Sequence, residues 1–339
     1  MTQQSPVRRV SFVVPVKNDA GRLRSCLEAI WRNRREGLTL EIIVADNGST
    51  DTSVDVAEAA GARVLRLPSI GVSELRNRAA ATATGEALAF VDADHVIASS
   101  WLPSAAAALS DERVGAAGAV YSAPTDGTWV QHAYGALRGK TIHFGDTAWL
   151  GSGNLVVRRT AFEAIHGFDT SLDTCEDVDL CQRLRAAGWR VVSDPGLESV
   201  HLGDPPTLGA LFRAERWRGR DNLRVSLRGH MALRDLPSVF IPVIDLAAGI
   251  VALWALVTVP RSGAAAMVTL TGVAALVLAL AATRVLRAFI GGRLGVSDVP
   301  RAFVVSLTWD VARAFALVWP APHHRHRKDA RTRSGAALT

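Results

Sequence analysis

Short, almost uninterrupted apolar runs alternate with stretches of helical period through the first ninety residues. Val10-Ser11-Phe12-Val13-Val14-Pro15-Val16 is the first run, and a segment apolar on both sides of the pleat predicts a strand buried in a parallel sheet. Lys17-Asn18-Asp19-Ala20-Gly21 reads as a turn, and Arg22 to Arg34 sets Leu23, Leu27, Ile30 and Trp31 on one helical face. Glu41 to Ala45 predicts a second strand, stopped by the turn and cap residues Asp46-Asn47-Gly48-Ser49-Thr50-Asp51. A helix over Thr52 to Ala60, a strand over Arg63 to Arg66, a helix over Ser73 to Thr82 and a strand over Ala87 to Val91 follow. Strand and helix repeated in this way imply a parallel sheet with helices on its faces. Ligands of such sheets sit at the carboxyl ends of the strands. Those ends here carry Pro15-Val16, Asp46 and Asp92-Ala93-Asp94.

The middle of the chain is less regular. An Ala-rich helix up to Leu109, a strand from Val114 to Tyr121, and a glycine-flexed loop Gly151-Ser152-Gly153-Asn154 running into a strand are expected. Glu176-Asp177-Val178-Asp179 opens a helix that ends at Gly188, and Ser199-Val200-His201-Leu202 is a further strand. The pattern changes at Ser238. Ser238 to Val259 has one charge, Asp245, and Ala264 to Thr283 has none; Pro260-Arg261-Ser262-Gly263 turns between them. Each is long enough to cross the hydrocarbon of a bilayer. Arg228 and Arg234 before the pair and Arg284, Arg287, Arg293 and Arg301 after it place both flanks on the cytoplasmic side. In Ala302 to Trp319, Ser306, Asp310 and Arg313 share one helical face, which favours a helix lying in the membrane interface over a third span. The organisation expected is therefore a catalytic region 1–230, a membrane region 231–322 with spans near 238–259 and 264–283 and a helix near 302–319, and a basic tail 323–339.

Composition sharpens this only in part. The 339 residues carry a net charge of +6, and the tail His323-His324-Arg325-His326-Arg327-Lys328 suits an anionic membrane surface or plain solvation. No zinc-finger spacing or aromatic-basic interleaving accompanies it, so nucleic acid is not an expected partner. Three cysteines, Cys26, Cys175 and Cys181, without a CxxC pair argue for reduced thiols. The polar start, Met1 to Pro6, has no signal-peptide pattern. The expected location is the inner (cytoplasmic) membrane, multi-pass, with the catalytic region in the cytoplasm.

The candidate chemistry begins at Asp92 and Asp94. Alternation places side chains two apart on one face of an extended chain, and paired carboxylates are hard ligands for Mg²⁺ or Mn²⁺ shared with substrate phosphates. Taken alone, the pair is equally a polar turn. Glu176, Asp177 and Asp179 taken alone are ordinary helix-start acids. Arg213 to Arg220, with Arg216 and Trp217 inside it, is either a solvated helix face or a surface for phosphate. Neither a dinucleotide fingerprint nor a P-loop is present.

Together, and in order, Val13-Val14-Pro15-Val16-Lys17-Asn18, Ala45-Asp46-Asn47-Gly48-Ser49-Thr50-Asp51, Gly71 through Arg76-Asn77 to Gly85-Glu86, Phe90-Val91-Asp92-Ala93-Asp94, and Gly167-Phe168-Asp169 followed by Glu176-Asp177 resemble the inverting family 2 glycosyltransferases of GT-A fold, over about residues 8–205. The resemblance implies an α/β, Rossmann-like nucleotide-diphospho-sugar transferase domain followed by the membrane hairpin. It implies that Pro15, Val16 and Asp46 line the base pocket, that Arg76 lies near the nucleotide, and that Asp92, Ala93 and Asp94 meet the donor. A metal, Mg²⁺ or Mn²⁺, would be held by Asp94 with Asp92 and His201. Asp177, beside Glu176, would be the general base, and Gly153, Asn154, Arg216 and Trp217 are candidates for acceptor or phosphate contacts. The partners implied are a nucleoside diphosphate sugar, a lipid-linked or glycan acceptor and membrane lipids.

Two departures bear on the type of product. The family's Arg-Asn-x-Gly is Arg76-Asn77-Arg78-Ala79 here, and the Gln-x-x-Arg-Trp of processive synthases is Arg213-Ala214-Glu215-Arg216-Trp217. With a short membrane hairpin, this favours transfer of single sugars over a processive polysaccharide synthase. A non-catalytic nucleotide-sugar-binding scaffold is the reading outside enzymes.

Overall fold

A computed structural model describes residues 7–139, 144–228 and 236–319, apart from the side chains of 258–262; the basic tail expected at 323–339 lies outside these residues. The described chain divides into two units. One comprises Met1–Ser122 and Lys140–Gly203, the other Ala123–Gly139 and Asp204–Ala321. The second unit thus begins well before the composition change near 230, and it includes a short segment from the middle of the first.

The first unit is built on the expected strands. β1 (Arg9–Val16), β2 (Thr39–Asp46), β3 (Arg63–Arg66) and β4 (Ala87–Val91) are parallel neighbours in the order β3-β2-β1-β4. They alternate with helices α1 (Ala20–Trp31), α2 (Ser53–Ala59) and α3 (Val72–Ala81). Past β4 come β5 (His95–Ile97), α4 (Trp101–Ala108), β6 (Val114–Gly118) and β7 (Tyr121–Ser122). After helix α5 (Trp129–Arg138), which belongs to the second unit, the chain forms β8 (Gly145–Asp146), β9 (Asn154–Arg158), α6 (Arg159–Ala164), α7 (Glu176–Ala186), β10 (Arg190–Ser193) and β11 (Ser199–His201). β9 runs antiparallel to both β4 and β6, and β10 and β8 complete an eight-stranded sheet. A separate three-stranded sheet has the order β5-β11-β7.

The strands are apolar on both faces because helices cover both. Phe12 and Val14 of β1 join one core with Leu23, Leu27 and Trp101. Val13, between them, joins the other with Leu75, Phe90, Leu155 and Leu180. Period-2 alternation therefore feeds two cores from one strand. One expectation needs correction here. Val114 to Tyr121 is not a single strand: β6 pairs in the large sheet, β7 in the small one. A side chain at Gly118 would press on the Asn154 carbonyl at 2.5 Å, and the chain leaves the large sheet just past this close approach.

The second unit is helical. It contains α5, α8 (Leu208–Arg218), α9 (Asn222–Arg228), α10 (Leu236–Ile290) and α11 (Val299–Val318). Glu215, fully buried, ties three of them. It accepts from Tyr134 of α5 at 2.6 Å, from Arg313 of α11 at 2.7 Å and from Arg218 at 3.1 Å. Burial opposes its charge, but Arg313 and Arg218 hold its carboxyl well below the usual range.

α10 carries two apolar stretches long enough to cross a membrane, Leu236–Val257 and Gly263–Ile290. Large apolar side chains along both, such as Trp254 and Val268, are exposed. Asp245 and Arg284, both on this element, lie within electrostatic reach of one another and of Asp310. On a straight helix their 39 intervening steps would separate them by about 58 Å, at about 1.5 Å per residue. The element therefore doubles back between them, as the expected hairpin requires.

The polar stripe of α11 is satisfied by protein groups. Asp310 pairs with Arg284 at 2.7 Å, Ser306 donates to the Ala281 carbonyl at 2.9 Å, and Arg313 meets Glu215. Val304, Phe315 and Val318 are exposed instead. The stripe faces protein because each of its groups finds a charged or hydrogen-bonding partner there, and buried polar groups require one.

Candidate active site

The carboxyl ends of β1, β2 and β4 meet a polar loop system. Pro15 and Val16 close β1, and both are buried. Val16 is paired in register with Asp46. The Asp46 carboxylate accepts from the backbone N–H of Gly48 at 3.0 Å and of Ser49 at 3.1 Å, fixing the turn after β2. Each carboxylate oxygen has two lone pairs, so acceptor capacity remains. Asn18 accepts from the Thr50 N–H at 2.7 Å and joins this turn to the one after β1.

At the end of β4 the extended-chain premise fails. The strand stops at Val91, and His95 N–H donates to the Asp92 carbonyl at 3.0 Å, closing a turn over Asp92-Ala93-Asp94. The two carboxylates therefore part company. Asp92 accepts from Arg76 at 2.6 Å, and Arg76 also donates to Glu176 at 2.8 Å. Arg76, expected beside the nucleotide, is buried between these two acids, with its plane over Phe168. Ser152 adds a hydroxyl to the same Glu176 oxygen at 3.2 Å. Ala93 is buried against the core.

Asp94 turns to a different group. Its Oδ2 lies 3.2 Å from His201 Nε2, and one ligand atom from each of Asp94, His95 and His201 falls within 4.8 Å of the others. His95 and His201 are direct partners across β5 and β11. Ser199, two residues before His201 and so on the same face, lies 3.0 Å from His95 Nδ1. That contact engages Nδ1, as in metal sites where an imidazole is oriented through its other nitrogen. Burial opposes the charge of Asp94, but the hydrogen bond and charge of His201, then His95 and Arg22, hold its carboxyl well below the usual range.

One carboxylate and two imidazoles form a donor set suited to a divalent transition ion. The surroundings are kept clear by glycine. A Cβ at Gly203 would stand 1.8 Å from Asp94 Oδ2, and one at Gly153 would stand 2.8 Å from both Asp92 Oδ2 and His95 Nε2. The residues present thus fit a metal. Beside the expected Asp94 and His201 the cluster includes His95; Asp92 meets Arg76 through Oδ1, and its Oδ2 borders the same space at Gly153 as His95 Nε2.

The second acidic centre also separates into two roles. Cys175, in the left-handed region at φ 59°, turns the chain into α7, whose first residues are Glu176 and Asp177. Glu176 is held by Arg76 and Ser152. Asp177 is only partly buried, and its carboxyl is pushed up to about 7 by desolvation first and by the charge of Glu176 second. A carboxylate of that basicity suits proton abstraction near neutral pH.

The remaining candidates have three different settings. Asn154 is fully buried, and its amide is spent on Trp101, the Ala119 carbonyl and the Leu197 carbonyl; it is a strut beneath the site and cannot meet an acceptor. Gly153 contributes closeness of backbone, not a ligand. Arg216 and Trp217 lie on α8 in the second unit, where Arg216 stacks 5.3 Å over Trp319.

Comparisons with known proteins bear on this geometry. Residues 11–165 match the model of Glycosyl transferase family 2. The pre-mycofactocin glycosyltransferase of Mycobacterium tuberculosis is 29% identical over 202 residues, 56% of this chain and 41% of that protein. The N-acetylglucosaminyl-diphospho-decaprenol L-rhamnosyltransferase of the same organism is 41% identical over 103 residues, 26% of this chain and 34% of that one. The chain thus spans well under half the length of these curated relatives. Among solved structures, the mannosyltransferase PcManGT from Pyrobaculum calidifontis, in complex with GDP-Man and Mn²⁺, aligns with a TM-score of 0.59 at 20% identity, covering 93% of this chain and 88% of that one.

Proposed function

For a chain that carries a family 2 glycosyltransferase domain of GT-A fold, we propose transfer of a single sugar, with inversion, from a nucleoside diphosphate sugar to a hydroxyl acceptor at a membrane surface. The observation that carries this reading is the pairing, within one unit, of an Asp94–His95–His201 cluster with a separate basic carboxylate, Asp177. Asp94, His95 and His201 would hold a divalent ion, which would supply positive charge to the departing diphosphate. Asp177 takes the proton of the acceptor hydroxyl as its oxygen attacks the anomeric carbon from the opposite face. One displacement of this kind inverts the anomeric centre. Arg76 holds Asp92 and Glu176 in place and leaves Asp177 as the acid free of that clamp. Asp46, Pro15 and Val16 border the base of the donor.

Two imidazole donors favour Mn²⁺ over Mg²⁺, which prefers an all-oxygen shell. A lipid-linked acceptor is supported by the two exposed apolar stretches of α10 and by the relative named for a diphospho-decaprenol substrate. With those stretches in the inner membrane, the catalytic unit faces the cytoplasm. The test is a thermal-shift screen of UDP-, GDP- and dTDP-sugars with Mn²⁺, since a ligand that binds only the native state raises Tm. Transfer assays with the donor so found then follow, with the anomeric configuration of the product read by NMR. Full metal-dependent activity in Asp94→Ala, or a retained configuration, overturns the reading.

A further inference from the structure

We propose that Tyr121 forms a wall of the subsite for the transferred sugar and sets which sugars are accepted; this rests on the glycosyltransferase reading above. The small sheet places it there. Tyr121 lies opposite Ser199 in the parallel β11–β7 pair, and His201 lies opposite His95 in the antiparallel β11–β5 pair. Ser199 and His201, two residues apart, share a face, and the side chains confirm it. The Tyr121 ring sits 4.9 Å from each imidazole, steeply inclined to both, and the imidazoles are 4.6 Å apart. Both histidines are buried, whereas Tyr121 is partly exposed.

Its other side approaches the base. A Cβ built at Gly151 would stand 3.6 Å from Tyr121 Cε1 and 3.9 Å from Asp177 Oδ2. The ring and the carboxylate therefore flank one bare stretch of backbone. Tyr121 touches the metal-binding rings on one side and borders the approach to Asp177 on the other.

The chemistry says what occupies that interval. In a single displacement the leaving diphosphate and the attacking oxygen stand on opposite faces of the anomeric carbon. With the diphosphate at the Asp94–His95–His201 cluster and the acceptor oxygen at Asp177, the sugar ring lies between them, against Tyr121. A tyrosine offers an apolar ring for the C–H face of a sugar and a hydroxyl for its substituents. Gly151 leaves room for that sugar. An alanine there makes only ordinary van der Waals contacts with the protein, so its methyl group intrudes on the ligand without disturbing the fold.

The test uses the full chain in detergent with Mn²⁺. Calorimetry compares UDP with UDP-glucose and UDP-N-acetylglucosamine, GDP with GDP-mannose, and dTDP with dTDP-rhamnose. The readout, for the pair that binds tightest, is the affinity for the sugar nucleotide relative to its parent nucleotide. Any loosening of the imidazoles weakens both ligands alike and cancels in this ratio. Tyr121→Ala and Gly151→Ala are each expected to shift the ratio by about tenfold, and Gly151→Ala to leave Mn²⁺ and nucleotide affinity within about threefold. Ratios within twofold of the parent protein in both variants overturn the role of Tyr121 alone. A parent protein that binds none of these nucleotides overturns the glycosyltransferase reading, and this one with it.

Discussion

Replacing Gly203 by alanine is a one-atom test of the metal site. Gly203 follows β11 by two residues, and the N–H of Leu202 between them donates to the Asp94 carbonyl at 2.8 Å. The added Cβ would stand 1.8 Å from Asp94 Oδ2 and 3.0 Å from an Arg22 nitrogen. Non-bonded carbon does not approach oxygen closer than 3.0 Å, so one partner must retreat by about 1.2 Å. Asp94 can rotate, which abandons His201, or the 202–203 segment can move, which carries His201 away. Either response displaces a donor far beyond the roughly 0.2 Å tolerance of a metal–ligand bond. Substitutions that only disturb the orientation of ligands cost about 10–100-fold in metal affinity, so loss of a donor is expected to weaken Mn²⁺ binding by about 100-fold or more. Gly203 is no part of the two cores, so the fold should survive. Titration of Mn²⁺ followed by electron paramagnetic resonance measures the affinity, and circular dichroism checks the fold. Gly21→Ala, with nothing within 4 Å of the added carbon, serves as the control and should bind Mn²⁺ as the parent does. If Gly203→Ala binds Mn²⁺ within about threefold of the parent, Asp94 and His201 do not anchor the ion.

Asp177 ties activity to pH in a defined direction. Its carboxyl, raised to about 7, must be ionised to act, so kcat/KM should climb with pH through about 7 and level off above it. Asp177→Asn should lower kcat by about 10²–10⁴-fold while leaving sugar-nucleotide affinity unchanged. Stability runs the other way. A carboxyl whose folded pKa lies above its unfolded value costs stability progressively as pH rises from about 4 through about 7, so Asp177→Asn should raise Tm at pH 8 and not at pH 4. A rise in kcat/KM on acidification would refute the base assignment. Arg76→Ala strands Glu176 in the interior and leaves the partly exposed Asp92 without its guanidinium, and should destabilise the protein by about 3 kcal/mol in urea unfolding. Arg76→Lys, lacking the fork that meets two carboxylates, should recover only part of that loss; full recovery would show that charge alone matters.

The parallel strands were legible because burial on both faces leaves a continuous apolar run, as from Val10 to Val16. Pro15, Asp46 and Asp177 sit at element ends, where turn chemistry and helix-start acids announce them. The Asp94–His95–His201 cluster was only partly legible. Asp94 and His201 could be read, but His95 was passed over although it stands next to Asp94, because in an extended chain adjacent residues face apart. The turn over Asp92-Ala93-Asp94 breaks that rule, and it also sends Asp92 to Arg76. The signal that finds His95 is register: it pairs with His201 across β5 and β11, a contact between residues more than a hundred apart that no local pattern encodes. Asn154 misled for a related reason. Its polarity suggested a ligand, yet it satisfies carbonyls from two distant loops. The stripe Ser306, Asp310 and Arg313 was found from helical period, which gives a face but not its direction.

The Glu215 knot has a consequence for preparing the protein. Hydropathy invites a cut just before Leu236 to obtain a fragment free of membrane helices. Such a cut falls inside one hydrogen-bonded unit. It removes Arg313 from Glu215, leaving Arg218 and Tyr134 to neutralise an acid that is fully buried in the intact chain. It also strips Val285, Ala302 and Val305 from the core that holds Val130, Tyr134 and Leu211. Detergent extraction of the whole chain, rather than trimming at 235, preserves α5 and α8 with the partners that fold them.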